Sequence, residues 1–318
     1  MEIFLEKSLL LSKSIFPEMD GKELPRAVVV NGPGTCSHGD MPWFQDDIQP
    51  GFLSGTAYSP VFLNDLPVGT RYEDEDAEYC FLSDIFPGDN NLPPSEQAFQ
   101  TFENIRKALE LNSMRFFHVV RTWFYLDKLY DWYSLFNEVR TGFFEKQGVF
   151  GHLVPASTGI GAGNSRGSLL VAHVLAVKPK HPGVCIFAVP SPLQGEATMY
   201  KSSFSRAVEI RFPAHRRLFI SGTASIDRDG NSIHLADIDC QIETTMEVVG
   251  QIIRSRQMNW SDAVRAIAYF KDMKHVNKLG DYCRKNQIPP FPVHSVQSDI
   301  CRPELLFELE LDLAVFMH

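Results

Sequence analysis

The sequence predicts an α+β protein made of one unit used twice, each unit a mostly antiparallel sheet with two helices on one face. Three observations predict it. Extended segments followed by helix, strand, helix and two more strands occur once before residue 178 and again after it. The two middle strands overlay without gaps, Val120-Arg121 on Val264-Arg265 and Tyr125 on Tyr269. The phrases SGTAYS (54–59) and SGTASI (221–226) are nearly the same words.

In the first copy, SEQAFQTFENIRKALEL (95–111) places Ala98, Phe102, Ile105 and Leu109 at spacings of 4, 3 and 4, one apolar helix face, and Pro93-Pro94 suits its start. FFHVVRTWFYL is rich in aromatic and β-branched residues and reads as a buried strand. DKLYDWYSLFNEVRTGFFEK returns to helical period through Leu129, Trp132, Phe136, Val139 and Phe143. After Pro155-Ala156 come STGIGAGNSRG and the strand SLLVAHVLAV. The second copy answers with the helix CQIETTMEVVGQIIRS, the strand DAVRAIAYF, the helix MKHVNKLGDYCRKN, the strand FPVHSV and the last strand LLFELELDLAV. Upstream extended segments are AVVVNG and GFLSGTAYS in the first copy, GVCIFAV and RRLFISGTASI in the second. VKPKHPG (177–183) suits a linker, which divides the chain into 1–178 and 179–318. Residues 66–95, with DEDAE and PGDNNLPP, are expected to be an exposed insertion.

Composition narrows the function. With 44% apolar and 22% charged residues among 318, the chain has the makeup of a globular protein of about two domains. No apolar stretch reaches the ~20 residues that span a bilayer, so no membrane partner is expected. The opening MEIFLEKSLLLSKSIF lacks the basic start and small-residue cleavage site of a signal peptide and reads as a first strand. Six scattered cysteines without CxxC spacing point to reduced thiols in a cytoplasm. A formal charge of −9 with no basic run argues against nucleic acid. An anionic substrate must then be held by a few local arginines or lysines. GIGAGNSRG (159–167) precedes a strand instead of opening a helix, so it is not a phosphate loop. His38 and Asp40 in NGPGTCSHGDMPW are too few ligands for a metal, and neither a metal nor an organic cofactor is expected.

The second copy, LFISGTASID…IETTMEVVGQII…WSDAVRAIAYFKD…VNKLGDYCRKN…FPVHSV…FELELDLAV, resembles the Rid (YjgF-type) module almost end to end. The first copy resembles it more loosely from SGTAYS to its closing strand. Three further segments resemble the chorismatases, two-domain proteins of this type: VVRTWFYL with FNEVRTGFF and PASTGIG, SPLQGEATMYKSSFSRA (191–207), and DICRPELLFELE (299–310). This resemblance implies tandem Rid modules, chorismate-mutase-like in fold. It also implies an activity that splits chorismate, or a related cyclic acid, into pyruvate and a hydroxylated ring acid. Glu308 then matches the catalytic glutamate, Cys301 an active-site cysteine and Arg302 its neighbour. Tyr200, Arg206 and the SGTA word (Ser221, Gly222, Thr223, Ala224) match positions near the substrate. Single Rid modules form trimers with sites at the seams between modules, which leaves two arrangements open for a two-module chain: closing internally, or forming a ring as a homo-oligomer such as a trimer.

An enol ether hydrolyses by protonation at its methylene carbon, which needs a carboxylic acid whose pKa is raised toward working pH. In ELELDL (308–313), alternation sets Glu308, Glu310 and Asp312 on one face, opposite Leu309, Leu311 and Leu313. On a solvated face this row is ordinary; turned into a cleft, burial and repulsion from Glu310 raise Glu308 as an acid requires. Cys301 is either a small buried hydrophobe or, with its pKa depressed by Arg302, a nucleophile. A dicarboxylate needs cationic clamps, for which Arg121, Arg206 and Arg302 are candidates, Arg265 being the copy of Arg121. The rival Rid activity, imine deamination, relies on an arginine in a Pro-x-Arg word. Ser157 and His294 stand at that position in the two copies, which disfavours it. A small-molecule-binding protein that has lost catalysis is the non-enzyme alternative.

Overall fold

The structure is a computed structural model that describes residues 58–200 and 202–317, with only the backbone of Tyr58 and Tyr200. Its first sheet opens with an antiparallel meander of β1 (Tyr58–Leu63), β2 (Leu66–Glu73) and β3 (Ala77–Ile85). Then follow α1 (Pro94–Leu111), β4 (Val119–Leu126), α2 (Leu129–Lys146), β5 (Ala156–Gly161) and β6 (Leu170–Pro179). The sheet order is β1-β2-β3-β6-β4-β5, parallel only between β4 and β5. The second sheet repeats this with β7 (Cys185–Val189), β8 (Ala207–Arg211), β9 (His215–Ala224), β10 (Ala263–Phe270), β11 (His294–Gln297) and β12 (Phe307–Phe316), in the order β11-β10-β12-β9-β8-β7. Its helices are α3 (Ile238–Ser255) and α4 (Val276–Lys285).

The duplication holds in detail. Helices α1 and α3 both have 18 residues, and β4 and β10 both have 8, each entered through a 3-10 turn (Phe116–His118, Trp260–Asp262). The pairings β4–β6 and β10–β12 carry a bulge at the same place, beside Arg121 and beside Arg265.

Each sheet buries its helix-facing side in its own core. Phe102 of α1 packs on Phe124 of β4 and on Phe136 and Phe143 of α2. On the other side, Ile242, Val249 and Ile253 of α3 meet Leu309, Leu311 and Leu313 of β12. A third core lies between the sheets, with Tyr79, Phe81, Trp123 and Tyr125 against Ile210, Phe212, Phe219 and Tyr269. The layers therefore run helices, sheet, sheet, helices.

Two expectations are corrected. Residues 66–95 are not an exposed insertion: β2 and β3 belong to the sheet, and Tyr72, Tyr79, Phe81 and Leu82 are buried. A tight acidic turn, in which Asp74 accepts from the amides of Asp76 and Ala77, hides two strands inside a charged stretch. The matched SGTA words do not mark equivalent places either. SGTASI ends β9 beside β12, and the counterpart of its SGTA is Ser83-Asp84-Ile85-Phe86 at the end of β3 beside β6, with the bulge again shared. Tyr58 and Ser59 of SGTAYS instead begin the edge strand β1. Residues 54–57, AVVVNG, the expected first strand at the N-terminus, His38 and Asp40 lie outside the described residues.

Candidate active site

Strand β5 is short, rich in small residues and at the edge of its sheet, so its outer hydrogen-bonding groups need partners. The second copy supplies them. Ser205 donates its amide to Pro155 O (3.0 Å), Ser221 Oγ accepts from the Ser157 amide (2.8 Å), and Asp299 O accepts from the Gly161 amide (2.7 Å). Ser298 Oγ closes the seam on Gly161 O at 2.7 Å.

Over this seam opens a cleft of about 560 Å³ of empty space, its solvent mouth included. Ser157 and Gly159 of β5 form its floor with Gly222 and Ala224 of β9 and Glu308 of β12. Tyr133 and Arg140 of α2 make one wall; Phe204, Arg206, Cys301 and Arg302 make the others.

Among the described residues Glu308 is the only carboxylate lining this cleft, and it is 4% exposed. A Cβ on residue 222 would collide with its Oε1, so glycine is required there to leave room for the carboxyl group. Among the described residues the Glu308 carboxyl group makes no hydrogen bond. Burial pushes its pKa up to about 8, the charge of Glu310 adds to the rise, and Arg121 opposes it. Glu308 thus carries its proton at neutral pH, next to open space.

The rest of the acidic row is turned inward as well. Glu310, fully buried, accepts from Arg121 (2.8 Å), from Arg265 (2.5 Å) and from Trp123 Nε1 (3.1 Å). Arg265 also donates to Asp312 at 3.1 Å. Burial works to raise the pKa of Glu310, but Arg265 and Arg121 outweigh it and hold the group ionised. Burial leaves Asp312 above the usual carboxylate range, with Arg265 opposing. The solvated-face reading of ELELDL does not hold.

The expected residues divide. Glu308, Cys301, Arg206, Arg302, Gly222 and Ala224 come together in the cleft. Arg121 does not line it: fully buried, it is committed to Glu310 and to Thr158 Oγ1 (2.7 Å) and stacks over Trp123 at 4.7 Å. Ser221 and Thr223 face away, Ser221 onto Ser205 O (2.5 Å) and Thr223 onto Ser221 O (2.8 Å). Arg206 reaches the cleft while two of its nitrogens hold Gly195 O at 2.9 and 2.6 Å. Arg302 donates to Ser232 Oγ at 3.1 Å. Burial, then Glu308, push the Cys301 thiol up to about 12 against the pull of Arg302, so it is a neutral thiol and not a thiolate nucleophile. Tyr200 closes a 3-10 turn (Ala197–Tyr200), and its side chain and Lys201 lie outside the described residues.

The sequence reading missed Tyr133, Arg140 and Phe204. The available signal was a polar stripe on α2, Tyr133, Asn137 and Arg140 at helical spacing beside the apolar one. Asn137 Oδ1 accepts from Arg140 at 2.6 Å, and the guanidinium lies over Phe136 at 5.2 Å.

Only the second copy has the acidic row. By strand register, Val171, His173 and Leu175 of β6 stand where β12 has Glu308, Glu310 and Asp312. Among the described residues there is no cluster of His, Cys, Asp and Glu suited to a metal, and no helix long and apolar enough to cross a membrane.

The fold is thus α+β with tandem Rid-like modules, and the cleft sits at their seam. The chain shares this architecture with a chorismatase, whose crystal structure it matches with a TM-score of 0.59 at 19% identity over 77% of each chain. A putative L-PSP endoribonuclease from Entamoeba histolytica (18% identity, 41% of this chain and 100% of that one) and a YjgF-family protein from Mycobacterium tuberculosis (22%, 41% and 100%) also match. Their TM-scores are 0.35 and 0.32, too low to carry weight. No protein-family model and no curated protein sequence matches the chain.

Proposed function

We propose that the chain is a chorismatase-like enzyme that cleaves the enolpyruvyl ether of chorismate, or of a related cyclic acid, with Glu308 as general acid. The observation that carries this is a buried carboxyl group, its pKa raised to about 8 and without a hydrogen-bond partner among the described residues, facing a cleft among arginines. Glu308 gives its proton to the methylene carbon, whose double-bond electrons form the new C–H bond and leave an oxocarbenium ion. Water adds to the ether-bearing carbon of that ion, giving a hemiketal, and one of its protons returns to the Glu308 carboxylate. The hemiketal then breaks its bond to the ring oxygen, its hydroxyl proton moves there, and pyruvate and the ring alcohol leave. Arg140, Arg206 and Arg302 surround the cleft with the positive charge that substrate carboxylates require. The neutral Cys301 thiol packs beside the acid and shapes the ring's environment.

Imine deamination is disfavoured because Ser157, at the place of the Rid arginine, is a small hydroxyl bonded to Thr122 Oγ1 at 2.9 Å. The same proposal includes units 1–178 and 179–318, a cytoplasmic setting and a homotrimer, the last read by sedimentation. The test of function is pyruvate release from chorismate, followed by a coupled dehydrogenase. Wild type releases pyruvate, and Glu308→Gln does so ~10²–10⁴-fold more slowly. A wild type that releases none removes the substrate, and equal rates remove Glu308 as the acid.

A further inference from the structure

Two arginines in equivalent places, Arg121 on β4 and Arg265 on β10, converge on one carboxylate, Glu310. The equivalent residue in the first copy is His173, so this convergence happens once. Arg121 belongs to the first sheet and Glu310 to the second, so the knot exists only when the two copies dock. Inside it the two guanidinium charges are already matched, Arg265 by Glu310 and Asp312 and Arg121 by Glu310. Glu308 lies on the same strand face, two residues or about 7 Å along. A charge on Glu308 would stand next to the pinned Glu310 charge in a place that excludes most water.

We infer that Glu310 is a positioning residue for the proposed reaction: held ionised by one arginine from each copy, it adds to burial in keeping Glu308 in its proton-bearing form. The inference rests on the reading of Glu308 as the acid. It ties acidity to assembly, because the seam that builds the cleft also places the charge behind the acid. The other groups around Glu308 act as follows. Arg121 from β4 favours its ionised form, while Cys301 and Tyr133 from α2 are neutral near pH 7 because burial raises both. Tyr269 from β10, directly opposite in register, is likewise neutral. Arg140, Arg206 and Arg302 line the same cleft, and Arg265 and Asp312 act through the knot.

The experiment is an NMR titration of protein carrying ¹³C-labelled glutamate, with the Glu308 signal assigned by its loss in Glu308→Gln. Glu310→Gln is expected to lower the Glu308 midpoint by about one unit or more, and Glu310→Asp to restore most of it. Arg121→Met leaves Glu310 its Arg265 partner and is expected to move the midpoint upward. A merely structural knot would shift neither midpoint, or both in one direction, and either result overturns the inference. If Glu310→Gln does not fold, it is combined with Arg121→Met, which removes the guanidinium left without its carboxylate while Arg265 keeps Asp312; a Glu308 midpoint below that of Arg121→Met alone supports the inference, and one equal to it or higher overturns it. The titration needs no substrate, so a failure to release pyruvate from chorismate would remove the proposed substrate and leave this result standing.

Discussion

At the scale of single residues, Glu308 and Gly222 act as one device. The glycine makes room that lets the carboxyl group sit in the cleft, and the strand below keeps it dry. Gly222→Ala is expected to retain the fold and to displace the carboxyl group, lowering kcat by about 10²-fold in the pyruvate assay. Stability carries a second signature. The folded pKa of Glu308, about 8, lies above the ordinary 4.5, so the folded protein binds a proton that the unfolded chain has released between those values. Its contribution to stability is full below the unfolded pKa and is lost as pH rises through 8. Urea midpoints measured across that window are expected to fall with pH more steeply in wild type than in Glu308→Gln. Glu308, Cys301, Arg206 and Arg302 were legible in the sequence because each sits in a local word. Arg121 was misread because an arginine in a strand shows nothing of a partner such as Glu310, which lies on the distant last strand.

At the scale of elements, β12 shows how period-2 alternation separates two tasks. Leu309, Leu311 and Leu313 fill the helix-side core while Glu308, Glu310 and Asp312 face the other sheet. Leu311→Ala is expected to cost about 2–5 kcal/mol in urea unfolding without changing the pH at which activity is lost. Helix α2 divides in the same way, with Phe136 and Phe143 inward and Tyr133 and Arg140 toward the cleft. Arg140→Met is expected to raise KM at least about tenfold, read from initial rates, with a smaller effect on kcat. Long helices and aromatic strands were legible because periodicity is local. Strands β2, β3 and β8 were not, since turn acids and loop-like flanks outweighed short apolar runs, and a repeated four-letter word suggested a false register.

At the scale of the whole molecule, the two copies differ in what they bring to the cleft, and by register only β12 carries the acidic row behind it. The first copy lends its edge strand β5 and the α2 wall, and the second lends Glu308. The Ser157 and Gly161 amides, though on an edge strand, are hydrogen-bonded across the seam. Hydrogen exchange at both is expected to be as slow as in the central strands β4 and β6. The two-unit architecture was legible from element order. The seam was not, because its bonds join the backbone edge of β5 to distant groups, among them the Ser221 and Ser298 hydroxyls, that no local pattern marks.

The central claim, that Glu308 protonates the substrate, is tested most directly by the dependence of kcat/KM on pH with chorismate as substrate. An acid with its pKa near 8 predicts a rate that is level through neutrality and falls tenfold per pH unit above about 8. In Glu308→Gln the remaining rate is expected to be far lower and to lack that fall. A wild-type profile that keeps rising past pH 8, or a mutant profile with the same limb as wild type, would contradict the assignment.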